Sequence, residues 1–175
     1  MSHLKRLSAP PFWKVARKET RWVVAPTPGP HAKLQSIPLS IILKHLLNIA
    51  NTTTEAKKII RMGEIIVDGK RKKDYAYPIG MFDTISIPKI KKNYRIVPGP
   101  KGLLLSELDG NEANIKICKI NNKSTIGKNK TQLNLHDGKN IIVENGDYNT
   151  GDSLLLELPS LKILEHLKLE KGTWD

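Results

Sequence analysis

Residues 51–80 read NTTTEAKKIIRMGEIIVDGKRKKDYAYPIG, and this stretch decides the fold. Thr52 stands three residues before Glu55, the spacing of a capping box, and Gly63 supplies a helix stop. Between them Ala56, Ile59 and Ile60 share one helical face, while Lys57, Lys58 and Arg61 share the opposite one. Glu64–Val67 is then rich in β formers, and Asp68-Gly69 is a two-residue hairpin signal. Four consecutive cations follow, Lys70, Arg71, Lys72 and Lys73. On a flexible tail such a run would be floppy, whereas a hairpin fixes it. A fixed array loses less conformational freedom on binding, and it suits phosphates held at set spacings in folded RNA.

The pattern extends in both directions. Upstream, IPLSIILKHLLNIA (37–50) places Leu39, Ile42, Leu43, Leu46, Leu47 and Ala50 at the three-and-four spacing of one helix face, with Pro38 at its first turn. Downstream, TISI at Thr84–Ile87 is a second β run. After Pro88 short β runs dominate. Tyr94–Val97 and Leu103–Leu105 flank the turn-rich PGPKG. ANIKICKI alternates, with Ile115, Ile117 and Lys119 on one side and Lys116, Cys118 and Ile120 on the other. QLNLHDGKNIIV has an Asp137-Gly138 turn between strands, and SLLLELP puts Leu154, Leu156 and Leu158 on one face. The expected fold class is α+β: a helix–helix–hairpin domain at 37–88, an antiparallel β module at 89–175, and an extended basic arm at 1–36.

The arm is assigned from its breakers. Pro10, Pro11 and the run APTPGPH disfavour regular structure. Lys5, Arg6, Lys14, Arg17, Lys18, Arg21 and Lys33 are set among Phe12, Trp13 and Trp22. Two readings fit that interleaving: the rings stack on unpaired bases or sugars of RNA, or they pin the arm to its own globular body. With no apolar period, the arm is expected to order on a partner. Charge agrees. The formal net charge is +12, but residues 1–100 hold 19 Lys/Arg against 6 Asp/Glu and residues 101–175 hold 10 against 11. A basic working half joined to a near-neutral module points to a polyanion.

Other classes are excluded on the same page. A single cysteine, Cys118, allows no internal disulfide and no thiolate metal cluster. No run of eighteen apolar residues spans a membrane, and the basic start, broken by proline, is no secretory leader, so a reduced, cytoplasmic protein without membrane partners is expected. The histidines show no metal-ligand spacing. His136-Asp137 sits in a hairpin turn with no Ser or Cys nucleophile beside it, so it is not a catalytic pair. No phosphate loop or dinucleotide fingerprint occurs. No enzyme, cofactor, metal or small-molecule substrate is expected.

Several strings occur together in a familiar order: HLKRL, PGPH, SIPL, EAKKII, VDGK, DYAYPIG, DTISIP, QLNLHDGKNI and GDSLLLELP. They resemble the archaeal and eukaryotic family of small-subunit ribosomal protein four, from about His3 to Thr173. The segment 37–87 resembles the RNA-binding domain that this family shares with its bacterial counterpart. The resemblance implies a structural ribosomal protein, archaeal rather than eukaryotic, that binds small-subunit ribosomal RNA beside neighbouring ribosomal proteins. Thr54 replaces a usual basic residue, so no contact is assigned to it; Ala32 and Ala76 replace a usual proline and lysine. The family usually continues past a glycine such as Gly172 into a third β-barrel of the KOW type, whereas this sequence stops at Asp175: a shortened member, or a cut chain.

The resemblance and the bottom-up reading select the same regions for RNA. Arg61, Lys70, Arg71 and Lys73 lead, with Lys5, Arg6, Arg17 and Lys18 next. Lys14, Arg21, His31, Lys33, Lys57, Lys58, Lys72 and Tyr75 complete the candidate set. Engaging about eight phosphates would give log affinity a slope of about −6 to −7 against log salt. A free RNA-binding assembly or stress factor is the alternative. The targeting part of an RNA pseudouridine synthase or methyltransferase is another, but 89–175 shows neither a nucleophilic Asp motif nor a glycine-rich cofactor loop.

Overall fold

The computed structural model describes residues 4–100, 102–110, 112–126, 130–144 and 147–169. His3, Lys101, Gly172, Thr173 and Asp175, used above, lie outside them. The chain forms two compact units, Met1–Ala113 and Asn114–Asp175.

In the first unit, β1 (Leu4–Lys5) pairs antiparallel with β2 (Trp22–Val23). β3 (Ile37–Pro38) leads into a helical segment, α1 (Leu39–Ile41), which continues as a π-helical turn at Ile42–Leu46. α2 (Thr53–Arg61) follows. Thr52 Oγ1 accepts from the Glu55 N–H at 3.1 Å, and Glu55 reaches back to the Asn51 N–H at 2.9 Å rather than to Thr52. Such a cap is worth about 1 kcal/mol. β4 (Ile66–Val67) and β5 (Lys70–Arg71) form the hairpin; its turn residues Asp68 and Gly69 have φ of 50° and 73°, a pair that Asp-Gly adopts readily. β6 (Pro78–Ile79) pairs back onto β3, closing the two-helix insertion. β7 (Thr84–Ile87), β8 (Lys92–Gly99) and β9 (Gly102–Leu108) then extend the sheet in the order β5-β4-β7-β8-β9.

Two expectations change here. The sequence boundary at 88/89 falls inside this sheet. Pro88–Ile90 forms a tight 3₁₀ turn with Lys91 at φ 52°, which folds β8 straight back onto β7, Ile87 opposite Lys92. The β8–β9 hairpin therefore belongs to the first unit. The arm is also not extended away from the body. Leu4, Ala9, Trp13 and Val15 join one core with Ile37, Leu39, Ile42, Leu43, Ile60, Ile65, Ile79, Ile85 and Ile96. Trp13 Nε1 donates to the Ser36 carbonyl at 3.0 Å. Burial of a tryptophan and its one polar handle outweighs what solvation offers the arm. Trp13 pins the arm; Trp22 stays 47% exposed.

The second unit is antiparallel, in the order β12-β11-β10-β13-β14. β10 (Ile115–Ile126) is its long central strand, followed by β11 (Lys130–Leu135), β12 (Asn140–Glu144), β13 (Ser153–Glu157) and β14 (Lys162–Leu167). The first half of β10 pairs with β13 and its second half with β11, and the register shifts between Ile120 and Asn122 where the partner changes. A bulge there bends the strand from one partner to the other. Cys118, Ile120, Leu133, Leu135, Leu154 and Leu156 form the core. The alternation expected at 115–120 holds, and the side bearing Lys116 is the inward one.

Candidate nucleic-acid interface

The cationic face is built by α2 and the hairpin together. Ala56 and Ile60 anchor α2 in the core, which turns Lys58 and Arg61 outward. Lys70 and Arg71 lie on β5, held by pairing to Val67 and Ile66, and the Lys72 N–H extends the ladder to the Ile65 carbonyl at 3.0 Å. Lys73 follows, its side-chain stem passing 3.7 Å from where a Cβ on Gly63 would stand. The end of α2 and the end of the cation run therefore meet. Two further cations are positioned by aromatic rings: Lys57 Nζ lies 4.3 Å from the Tyr75 ring centroid and Lys72 Nζ 4.2 Å from that of Tyr77. Cation–π contacts of this kind restrain a lysine without neutralising it. Tyr77 and its role were not read from sequence; alternating tyrosines beside a lysine run are the signal that could have shown them.

On the arm, Lys5, Lys14, Lys18, Arg21 and Lys33 are exposed. Lys5 pairs opposite Trp22, and the Arg21 guanidinium lies 5.2 Å from the Trp22 ring centroid. Three sequence candidates are tied into the body by internal hydrogen bonds. Arg6 is buried and donates to Glu19 Oε2 at 2.9 Å and to Thr20 Oγ1. Arg17 donates to the carbonyls of Ala9 and Pro10, stapling the proline bend of the arm. His31 Nε2 is bonded to Asp83 Oδ2 at 2.9 Å, and the same oxygen accepts from the Gly80 N–H. A Cβ at Gly80 would collide with the His31 ring. The strings PGPH and YPIG are thus two halves of one buried joint, and His31 is structural. Only local spacing is visible in sequence, so contacts across 49 residues of chain were not.

In the second unit, His136 and Asp137 diverge. His136 Nδ1 accepts from the Lys119 N–H, while Asp137 turns inward to Lys116 and Lys139, each 3.0 Å away. Among the described residues no cluster of His, Cys, Asp or Glu is arranged to hold a metal, and no helix is long and apolar enough to cross a membrane.

A two-helix and hairpin body with a fixed cationic face defines an RNA-binding protein of the S4-domain class, and residues 38–85 match the S4 domain. Residues 2–34 match the RS4NT (NUC023) domain and residues 90–163 the ribosomal family S4e. The chain is 47% identical over 170 residues to the small ribosomal subunit protein eS4 of Archaeoglobus fulgidus, covering 97% of this chain and 71% of that one. It is 46% identical to that of Methanocella arvoryzae, covering 98% and 73%. The crystal structure of the 30S ribosomal protein S4e from Thermoplasma acidophilum superposes with a TM-score of 0.68 at 30% identity, over 79% of this chain and 71% of that one. The chain belongs to ribosomal protein family S4e, a family of structural components rather than enzymes.

Proposed function

We propose that the chain is a cytoplasmic, structural constituent of an archaeal small ribosomal subunit that clamps folded small-subunit ribosomal RNA and packs beside neighbouring ribosomal proteins. The observation that carries this is the joint face of α2 and the hairpin, where Lys58 and Arg61 on α2, Lys70 and Arg71 on β5, and Lys73 just beyond it are exposed. Lys57, Lys72 and Tyr75 support that face, and Lys5, Lys14, Lys18, Arg21 and Lys33 extend it onto the arm. Charge neutralisation by a preordered array is the binding mechanism. We keep 1–36, 37–88 and 89–175 as divisions of the sequence, while the β8–β9 hairpin packs with the first of the two compact units.

Sedimentation of a lysate through a gradient, before and after a high-salt wash, tests the reading. Retention on the small subunit after the wash is expected. Release by salt, or migration at the top of the gradient, would favour a free assembly or stress factor instead.

A further inference from the structure

A groove of about 450 Å³ opens in the first unit between the arm, the first helical segment and α2. That size lies within the range of about 300–1,000 Å³ typical of small-molecule sites. Three cations line it, Arg6, Lys44 and Lys57, and no carboxylate does. Two aromatic rings border it: Trp22, 47% exposed, and Tyr75, which lies under Lys57. Its buried wall holds unmatched polar atoms, for Ser40 Oγ and Arg6 Nε are enclosed and hydrogen-bonded to nothing. Such groups are costly to leave unpaired, and both belong to residues of the groove wall. His45 adds a ring whose basicity is lowered by burial and by the charges of Lys44 and Arg6, against a smaller opposing pull from Glu19.

From this lining we infer that the groove receives one unpaired nucleotide of the bound RNA, its base against Trp22 and Tyr75 and its phosphate beside Lys44 and Lys57. The inference rests on the proposed function and deepens it. Apolar walls with aromatic faces suit a base; the His45 imidazole beside them suits its polar edge; a rim of cations without a carboxylate suits its phosphate and not an acid-seeking peptide. Sequence-selective RNA recognition works through splayed bases of this kind, whereas the hairpin cations read backbone shape.

The test uses the full chain with in-vitro transcribed archaeal small-subunit ribosomal RNA. Ultraviolet crosslinking with peptide mapping is expected to place a nucleotide on Trp22 or Tyr75. W22L, at an exposed position, should weaken binding about tenfold and leave the salt slope unchanged, because stacking carries no counterion release. A25F, which narrows the groove and keeps the nucleotide's phosphate from Lys44 and Lys57, should weaken binding about as much and lower the slope by about 0.7–0.9. Wild-type affinity in both variants, with crosslinks confined to α2 and the hairpin, overturns the inference and leaves the proposed function standing. Adenosine or uridine monophosphate crosslinking to the groove while the RNA does not would make it a free-nucleotide site and overturn it too. So would a peptide of another protein crosslinked there in intact subunits. Failure of the wild-type chain to bind the RNA at all would remove the proposed function itself.

Discussion

Asp137 accepts from Lys116 Nζ and Lys139 Nζ, both at 3.0 Å, in the interior of the second unit. Burial works against its charge, but the two lysines outweigh burial and hold its carboxyl well below the ordinary carboxylate range. Removing one member of a buried pair strands the other, at a cost of about 3–5 kcal/mol. D137A should therefore destabilise the second unit by about that amount, read as urea dependence of amide exchange in β10 and β13. K116M should cost less, because Lys139 still neutralises Asp137; an equal loss would show that Lys139 contributes nothing. Asp152 is held at about 2 by the backbone N–H groups of Leu169 and Asn149 and by the His166 ring. A carboxylate depressed in the folded state stabilises it above the unfolded value of about 4 and loses that contribution as pH falls toward the folded value. The second unit should thus hold its urea midpoint down to about pH 4 and lose stability as pH falls from there toward about 2, with Asp152 and Asp137 both contributing. D152N should be less stable at neutral pH and less sensitive to acid; a profile parallel to wild type would exclude Asp152 as one of the groups responsible. At this scale the sequence was legible only in part. An alternating strand showed Lys116 and Cys118 on one side, but nothing local says that a lysine faces inward until its partner, 21 residues on, is seen to meet it.

The elements themselves were readable because each carries its own punctuation. Thr52, Glu55 and Gly63 bracket α2, and Asp68-Gly69 sets the hairpin. The 88/89 boundary runs through one sheet because Pro88 reads as a break, and a tight turn and a domain linker use the same residues. What α2 and the hairpin do jointly can be separated into charge and rigidity. K70Q/R71Q/K73Q removes three exposed cations without touching the core, so stability should be unchanged. The salt slope for ribosomal RNA should fall by about 2–3, at about 0.7–0.9 per contact; an unchanged slope would move the contacts elsewhere. G69V keeps every charge but places a β-branched residue at φ 73°, where only glycine and a few polar residues sit without strain. It should weaken binding about tenfold while the salt slope stays near wild type. Wild-type affinity in G69V would mean that the cations work as well on a loosened loop, and the fixed array would lose its purpose.

Across the whole molecule, the charge follows the units. Met1–Ala113 holds 20 Lys/Arg against 9 Asp/Glu, whereas Asn114–Asp175 holds 9 against 8. Composition revealed that asymmetry directly. Composition and periodicity could not reveal that the arm is packed, because Leu4, Ala9, Trp13 and Val15 fill a core at irregular spacings that no helix or strand period marks. A packed arm changes the energetics of assembly. Lys5, Lys14, Lys18, Arg21 and Lys33 then share one preordered body with the hairpin, and binding loses less entropy than ordering a free arm would. In the second unit cations and acids are nearly equal in number, and Lys130 lies across from Glu144; exposed pairs of this kind give little net field. Neutralising Lys119, Lys123 and Lys130 together should therefore change the RNA salt slope by less than about one, against about 2–3 for the three hairpin cations. Equal changes from the two triple variants, measured on the same RNA over the same salt range, would show that the second unit shares the phosphate contacts and that net charge per unit does not report where RNA lies.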